Sequence, residues 1–141
     1  MVATLAGFSD RVNTAARHLR TRSTLICAET HAPIPDAAIL RGALNDYRDR
    51  LPTAADAWCV IEVTDASYGR DAGEKLEAYA RAGVQQYVIL NLRNRTAEVY
   101  LTPDRAAGTY PLPQIVAADQ VLDLRVGEDE FFQVPLANVL A

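Results

Sequence analysis

Cysteine is scarce in this chain: two residues in 141, Cys27 and Cys59, with no CxxC spacing between them. That excludes a disulfide framework and a cysteine-based zinc site, and leaves both as small core residues of a reducing compartment. Histidine is equally rare, with only His18 and His31. There is no GxSxG segment for a nucleophile elbow and no glycine-rich phosphate loop. Aromatic residues make up 7% of the chain, too few for the stacked groove of a glycosidase. No apolar run approaches a membrane span, and the N-terminus lacks a basic stretch followed by an apolar one. No membrane association and a cytoplasmic location are therefore expected. The net charge of −4 gives no general basic footprint for nucleic acid, although Arg17, Arg20 and Arg22 cluster, as do Arg93 and Arg95.

What is present is a soluble composition, half apolar and 23% charged. The length suits one domain, residues 1–141, burying roughly two-thirds of its unfolded surface. Leu5, Phe8, Val12, Ala15, Ala16 and Leu19 recur at helical spacing and predict an amphipathic helix over about residues 3–20, with His18 exposed on it. Residues 23–28 read as a strand, 31–35 as a proline turn and 37–40 as a second strand. The polar stretch 42–57 predicts a short helix or ordered loop ended by Pro52. Strands follow at 58–63, 87–92 and 96–101, with a turn at 93–95. Further strands are expected around Tyr110 and over 120–126, and a strand or helical turn over 131–140.

The best-specified helix is at 72–82. Asp71 with Glu74 fits a capping box, and Gly83 fits the left-handed position after the last turn. At roughly 100° per residue, Lys75 lies about 40° from Tyr79, on the edge of the apolar stripe. Its stem can follow the core while its ammonium reaches a site.

Glu62 interrupts the apolar run Trp58–Val63, and a buried carboxylate is costly unless a cation meets it. Asp36 opens one strand, Glu62 closes another, and Lys75 sits on the helix that follows. Two nearby carboxylates without histidine or cysteine favour Mg²⁺ or Mn²⁺, which suits metal-assisted phosphodiester hydrolysis. Each residue also has a plainer reading. Asp36 can cap a turn, Glu62 can face solvent, Lys75 can pair with Glu74 or Glu77, and Asp71 can serve only as an N-cap. Asp65 stands in the loop between, as a further ligand or a loop stabiliser, whereas Tyr79 and Tyr87 read as core aromatics.

The order Pro35-Asp36, Glu62-Val63 at a strand end, then Asp71-x-x-x-Lys75-x-x-x-Tyr79-Ala80-x-Ala82-Gly83-Val84 resembles the Uma-two family of restriction endonuclease-like proteins, within the PD-(D/E)XK nuclease superfamily. Glu62 to Ser67 is similar to the family's acid-valine-serine loop, and Val99-Tyr100 to its VEVY strand. The resemblance implies an α/β restriction-endonuclease-like fold, a mixed β-sheet flanked by helices, with residues 58–92 as a right-handed β-α-β unit. It implies a Mg²⁺- or Mn²⁺-dependent DNA endonuclease, commonly a homodimer. Asp36 and Glu62 would hold the metal with the Val63 carbonyl, and Lys75 would complete the catalytic set. The superfamily's lysine normally stands two residues after the second acid, where this chain has Thr64. An N-terminal hairpin usual in the family, carrying a tyrosine-glutamate-leucine segment, is expected to be missing. Its loss leaves a second reading, a catalytically inactive binding or assembly module.

Overall fold

The computed structural model describes residues 2–140, with side chains from residue 4 onward. Two short helices, α1 (Val2–Ala6) and α2 (Ser9–Val12), precede strands β1 (Arg17–Thr21) and β2 (Ala37–Arg41). Strand β3 (Ala57–Thr64) leads into α3 (Tyr68–Ala72) and α4 (Glu74–Ala82), then into β4 (Gln86–Asn91) and β5 (Thr96–Leu101). The chain continues through β6 (Gln114–Ala117), β7 (Val121–Arg125), β8 (Phe131–Pro135) and α5 (Leu136–Leu140). Strands β1 to β6 form one six-stranded sheet in sequence order, and β7 pairs with β8 separately. Every neighbouring pair in the large sheet is antiparallel except β3 with β4. The expected mixed α/β sheet flanked by helices is thus the observed fold.

That one parallel pair needs a crossover, which α3 and α4 supply. It is also why β3 and β4 are apolar almost throughout, since parallel strands are covered on both faces. Cys59 and Ile61 join a core with α1, α2, α5 and the β7–β8 hairpin. Val60 faces the other way, into a core with Tyr79, Val84, Tyr87 and Tyr100. By the two-residue alternation of a strand, Glu62 falls on that second face, under α4.

The single helix expected over 3–20 is not formed. Asn13 adopts an extended ψ of 131° after α2, and its side-chain oxygen accepts the Leu19 N–H at 2.8 Å. Thr14 caps the following turn through the Ala16 N–H, so local side-chain bonds displace helical ones. Leu5, Phe8, Val12 and Leu19 still reach one core, Leu19 from a strand. His18 is consequently buried on β1, not exposed on a helix, with Nδ1 at 2.7 Å from the Gly42 carbonyl.

Residues 23–28 are not a strand either. Their amides go to loop carbonyls, Leu25 to Pro33 and Ile26 to Pro52, with isolated bridges in place of a ladder. In 42–57, where a short helix or ordered loop ended by Pro52 is expected, the chain makes two 3₁₀ turns, Leu44–Tyr47 before Pro52 and Ala54–Asp56 after it. Tyr110 lies outside any strand, and β6, like β1, is a strand that the sequence reading does not predict. The C-terminal stretch is both a strand and a helical turn.

The helix expected at 72–82 begins earlier and is broken at Gly73, where a Cβ would lie 2.7 Å from the Gly69 carbonyl oxygen. Asp71 therefore lies inside α3 and caps nothing. The C-terminal signal holds: Gly83 has φ +82°, its N–H bonds Ala80, and the Val84 N–H bonds Tyr79. A Cβ at Gly83 would also crowd the Arg105 side chain at 3.1 Å. Gly83→Ala is expected to destabilise the fold by about 1 kcal/mol or more in urea unfolding; an unchanged midpoint would show that position 83 does not need this conformation.

Candidate active site

Proline 35 leads the chain into β2, and Asp36 stands at its entrance opposite the end of β3. Its backbone carbonyl accepts the Arg22 N–H at 3.1 Å, which ties it to the end of β1. The two acids are interlocked. The Asp36 N–H donates to Glu62 Oε1 at 3.1 Å, and the Val63 N–H donates to Asp36 Oδ2 at 2.7 Å. Each carboxylate thus bonds the backbone of the other's strand, which sets the two side by side. Asp36 is half-buried and does not act as a turn cap.

Glu62 is 1% exposed, so the solvent-facing reading fails. Its Oε2 accepts the Tyr79 hydroxyl at 2.9 Å and lies 3.2 Å from the Lys75 ammonium. Lys75 is the only lysine in the chain. It does not pair with Glu74 or Glu77. Its second partner is Asp71, whose Oδ1 is 3.0 Å away and which is itself 1% exposed. Asp71 Oδ2 accepts the Ser67 hydroxyl at 3.0 Å, and Ser67 in turn meets Thr64 Oγ1 at 3.1 Å. Thr64, standing where the superfamily lysine is usual, is thereby engaged in holding the loop.

Two contributors escaped the sequence reading. Asp71 fits a capping pattern so well that its other role, a carboxylate i,i+4 from Lys75, is masked; that spacing is the available signal. Tyr79 read as a core aromatic, and it is buried against Tyr87 at 4.9 Å between ring centroids, but its hydroxyl also holds Glu62. Tyr87 reaches the Asp71 carbonyl at 2.8 Å, which anchors α3 to β4. Asp65 is exposed, 3.5 Å from Arg93, on the outer rim of the loop. His31 is exposed on the loop before Asp36.

Electrostatics follow from burial. Desolvation pushes the Glu62 pKa up, and Lys75, the Asp36 N–H and the Tyr79 hydroxyl only partly offset it. Burial alone would lower Lys75, but the bond to Asp71 and the Glu62 charge outweigh it, so the ammonium is held above its ordinary value. Burial, reinforced by Glu62, also raises the Tyr79 phenol, which keeps it protonated as a donor.

Among the described residues no group of three or more histidine, cysteine, aspartate and glutamate side chains gathers around a cation position. A hard cation does not require one. Mg²⁺ is commonly held by one or two carboxylates and keeps several waters. Asp36, Glu62 and a backbone carbonyl are all oxygen donors, and among the described residues no hydrogen bond occupies Asp36 Oδ1. The donor set fits Mg²⁺ or Mn²⁺.

The raised Glu62 pKa has a sign that can be measured. The folded state binds its proton more tightly than the unfolded chain. Its stabilising contribution is therefore full below the ordinary value of 4.5 and lost as pH rises through the folded value. Glu62→Gln carries no such proton. The stability of the wild type relative to this variant should fall as pH rises from about 4 and then level off; a relative gain with rising pH, in urea titrations without metal, would contradict the burial argument.

The family model Uma2, described as "Putative restriction endonuclease", matches residues 3–136. Among solved structures, "a putative nuclease belonging to DUF820" from Anabaena variabilis superposes with a TM-score of 0.71 at 11% identity, covering 98% of this chain and 78% of that one. At that identity the likeness shows a shared fold. No curated protein matches the chain. The family match spans nearly the whole sequence, and the chain belongs to the Uma2 family.

Proposed function

We propose that this protein is a Mg²⁺- or Mn²⁺-dependent endonuclease that hydrolyses phosphodiester bonds in DNA. The observation that carries this reading is the buried Glu62, interlocked with Asp36 and contacted by the chain's only lysine. Burying this much charge costs stability that an apolar core would not lose, so a functional reason is the economical one. Family membership supports the same reaction class.

In this reading Asp36, Glu62 and the Val63 carbonyl hold the cation. The metal supplies Lewis acidity and a water of lowered pKa. The chain's own groups do the rest. Tyr79 fixes the Glu62 carboxylate from one side through its hydroxyl. The Lys75 ammonium orients the attacking water and stabilises the extra negative charge as the water oxygen adds to phosphorus and the ester P–O bond breaks. Asp71 is a positioning residue: it holds the ammonium at 3.0 Å and is itself held by Ser67. Lysine on a helix thereby replaces lysine on the strand. A homodimer is the natural form for cutting both strands of a duplex.

Supercoiled plasmid in Mg²⁺ or Mn²⁺ should be nicked by the wild type and protected by EDTA. Glu62→Ala and Lys75→Ala should each lose about a hundredfold or more in rate. Asp71→Asn should lose roughly a hundredfold through misplacement of the ammonium. It should also move the alkaline limb of the pH profile downward, because Asp71, together with Glu62, raises Lys75. Nicking that survives both Glu62→Ala and Lys75→Ala would reject the site. No nicking of any DNA form, with no metal-induced rise in Tm, would leave the non-catalytic module as the reading.

A further inference from the structure

Beside Lys75 the surface opens into a cleft of about 340 Å³ between the loop that precedes Asp36 and the α3–α4 helices. His31 and Ile34 stand on the loop side, and Arg70, Glu74 and Lys75 on the helix side. The loop leads on into Pro35-Asp36, and Lys75, which lines the cleft, contacts Glu62 at 3.2 Å. Ile34 is 62% exposed, an apolar side chain left in solvent at the lip of a charged site. Arg70 is exposed, and among the described residues no carboxylate pairs with its guanidinium. The break at Gly73 explains why Glu74, four residues on, does not serve as an ordinary i,i+4 partner.

The field in the cleft is not broadly cationic. Lys75 is balanced by Glu62 and Asp71, and Glu74 opposes Arg70. Attraction of a phosphate must therefore come from direct contact, which a free guanidinium makes well as a bidentate donor. The opposite wall offers an aliphatic side chain and an imidazole, surfaces against which a sugar and a base can lie.

We propose that this cleft is a subsite for one nucleotide of the bound DNA strand, with its phosphate on Arg70 and its sugar and base against Ile34 and His31. The proposal rests on the nuclease reading but concerns binding, so it can fail while that reading stands. Arg70 here is a binding residue that sets where the strand lies relative to Lys75.

The test is fluorescence anisotropy with a labelled DNA duplex and its single strand, in EDTA, across a salt series, using the full chain. Arg70→Ala should weaken binding several-fold and reduce the slope of log K against log salt by about 0.9 for duplex or 0.7 for single strand, the signature of one lost phosphate contact. Arg70→Lys should restore the slope with only part of the affinity. Ile34→Ser should weaken binding with the slope unchanged. Arg48→Ala, an equal loss of charge outside the cleft, should leave both as in the wild type. Unaltered Tm values exclude unfolding as the cause. If Arg70→Ala binds and nicks as the wild type does, the subsite is wrong and the nuclease reading survives. If the wild type neither binds nor cuts DNA, both are wrong. If Arg48→Ala matches Arg70→Ala, the effect is diffuse charge and the subsite is again rejected.

Discussion

A carboxylate 1% exposed on the inner face of a sheet must be compensated where it stands, and the arrangement around Glu62 follows from that requirement. Removing one partner from a buried ion pair leaves an uncompensated charge, a loss of about 3–5 kcal/mol. Lys75, Tyr79 and the Asp36 N–H therefore act on Glu62 together. Lys75 and Tyr79 come from α4 and Asp36 from the entrance to β2, so the helix, the β2 entrance and the β3 end are drawn to one point. The parallel pairing of β3 with β4 makes this feasible, because only a crossover connection lays a helix over the end of β3.

The lysine has two masters. Glu62 alone would hold the ammonium against the sheet, but Asp71 at similar distance draws it toward α3. Asp71 lies inside α3, which starts at Tyr68 and ends before Gly73, where the backbone passes too close to the Gly69 carbonyl for a side chain. The 3.0 Å ion pair of Asp71 with Lys75 thus spans the break between α3 and α4. Ser67 and Thr64 extend this hold to the β3–α3 loop, so the usual lysine position on the strand serves to brace the lysine on the helix.

Much of this was legible in the residues, and the failures have physical causes. Strong signals survived: the apolar runs around Glu62 and Leu90, the αL glycine at 83, and the helical-wheel position of Lys75. Those signals are local and mutually reinforcing. The helix expected over 3–20 failed because the side chains of Asn13 and Thr14 compete for backbone amides, while Leu19 kept the apolar period from within a strand. Residues 23–28 looked like a strand from composition, but their amides find loop carbonyls instead. At the site, Asp36, Glu62 and Lys75 were each readable as chemically unusual. Tyr79 and Asp71 were not, since one is also a core aromatic and the other also fits a cap. A residue with two roles displays the commoner one in sequence.

The central question is whether Asp36 and Glu62 together hold a divalent cation with Lys75 beside it. Crystals grown with Mn²⁺ and measured at its absorption edge answer this directly. One anomalous peak is expected in coordinating contact with both carboxylates, with Glu62 still bound by the Tyr79 hydroxyl. No peak there, with the Lys75 ammonium still holding Glu62 and Asp71, would contradict it.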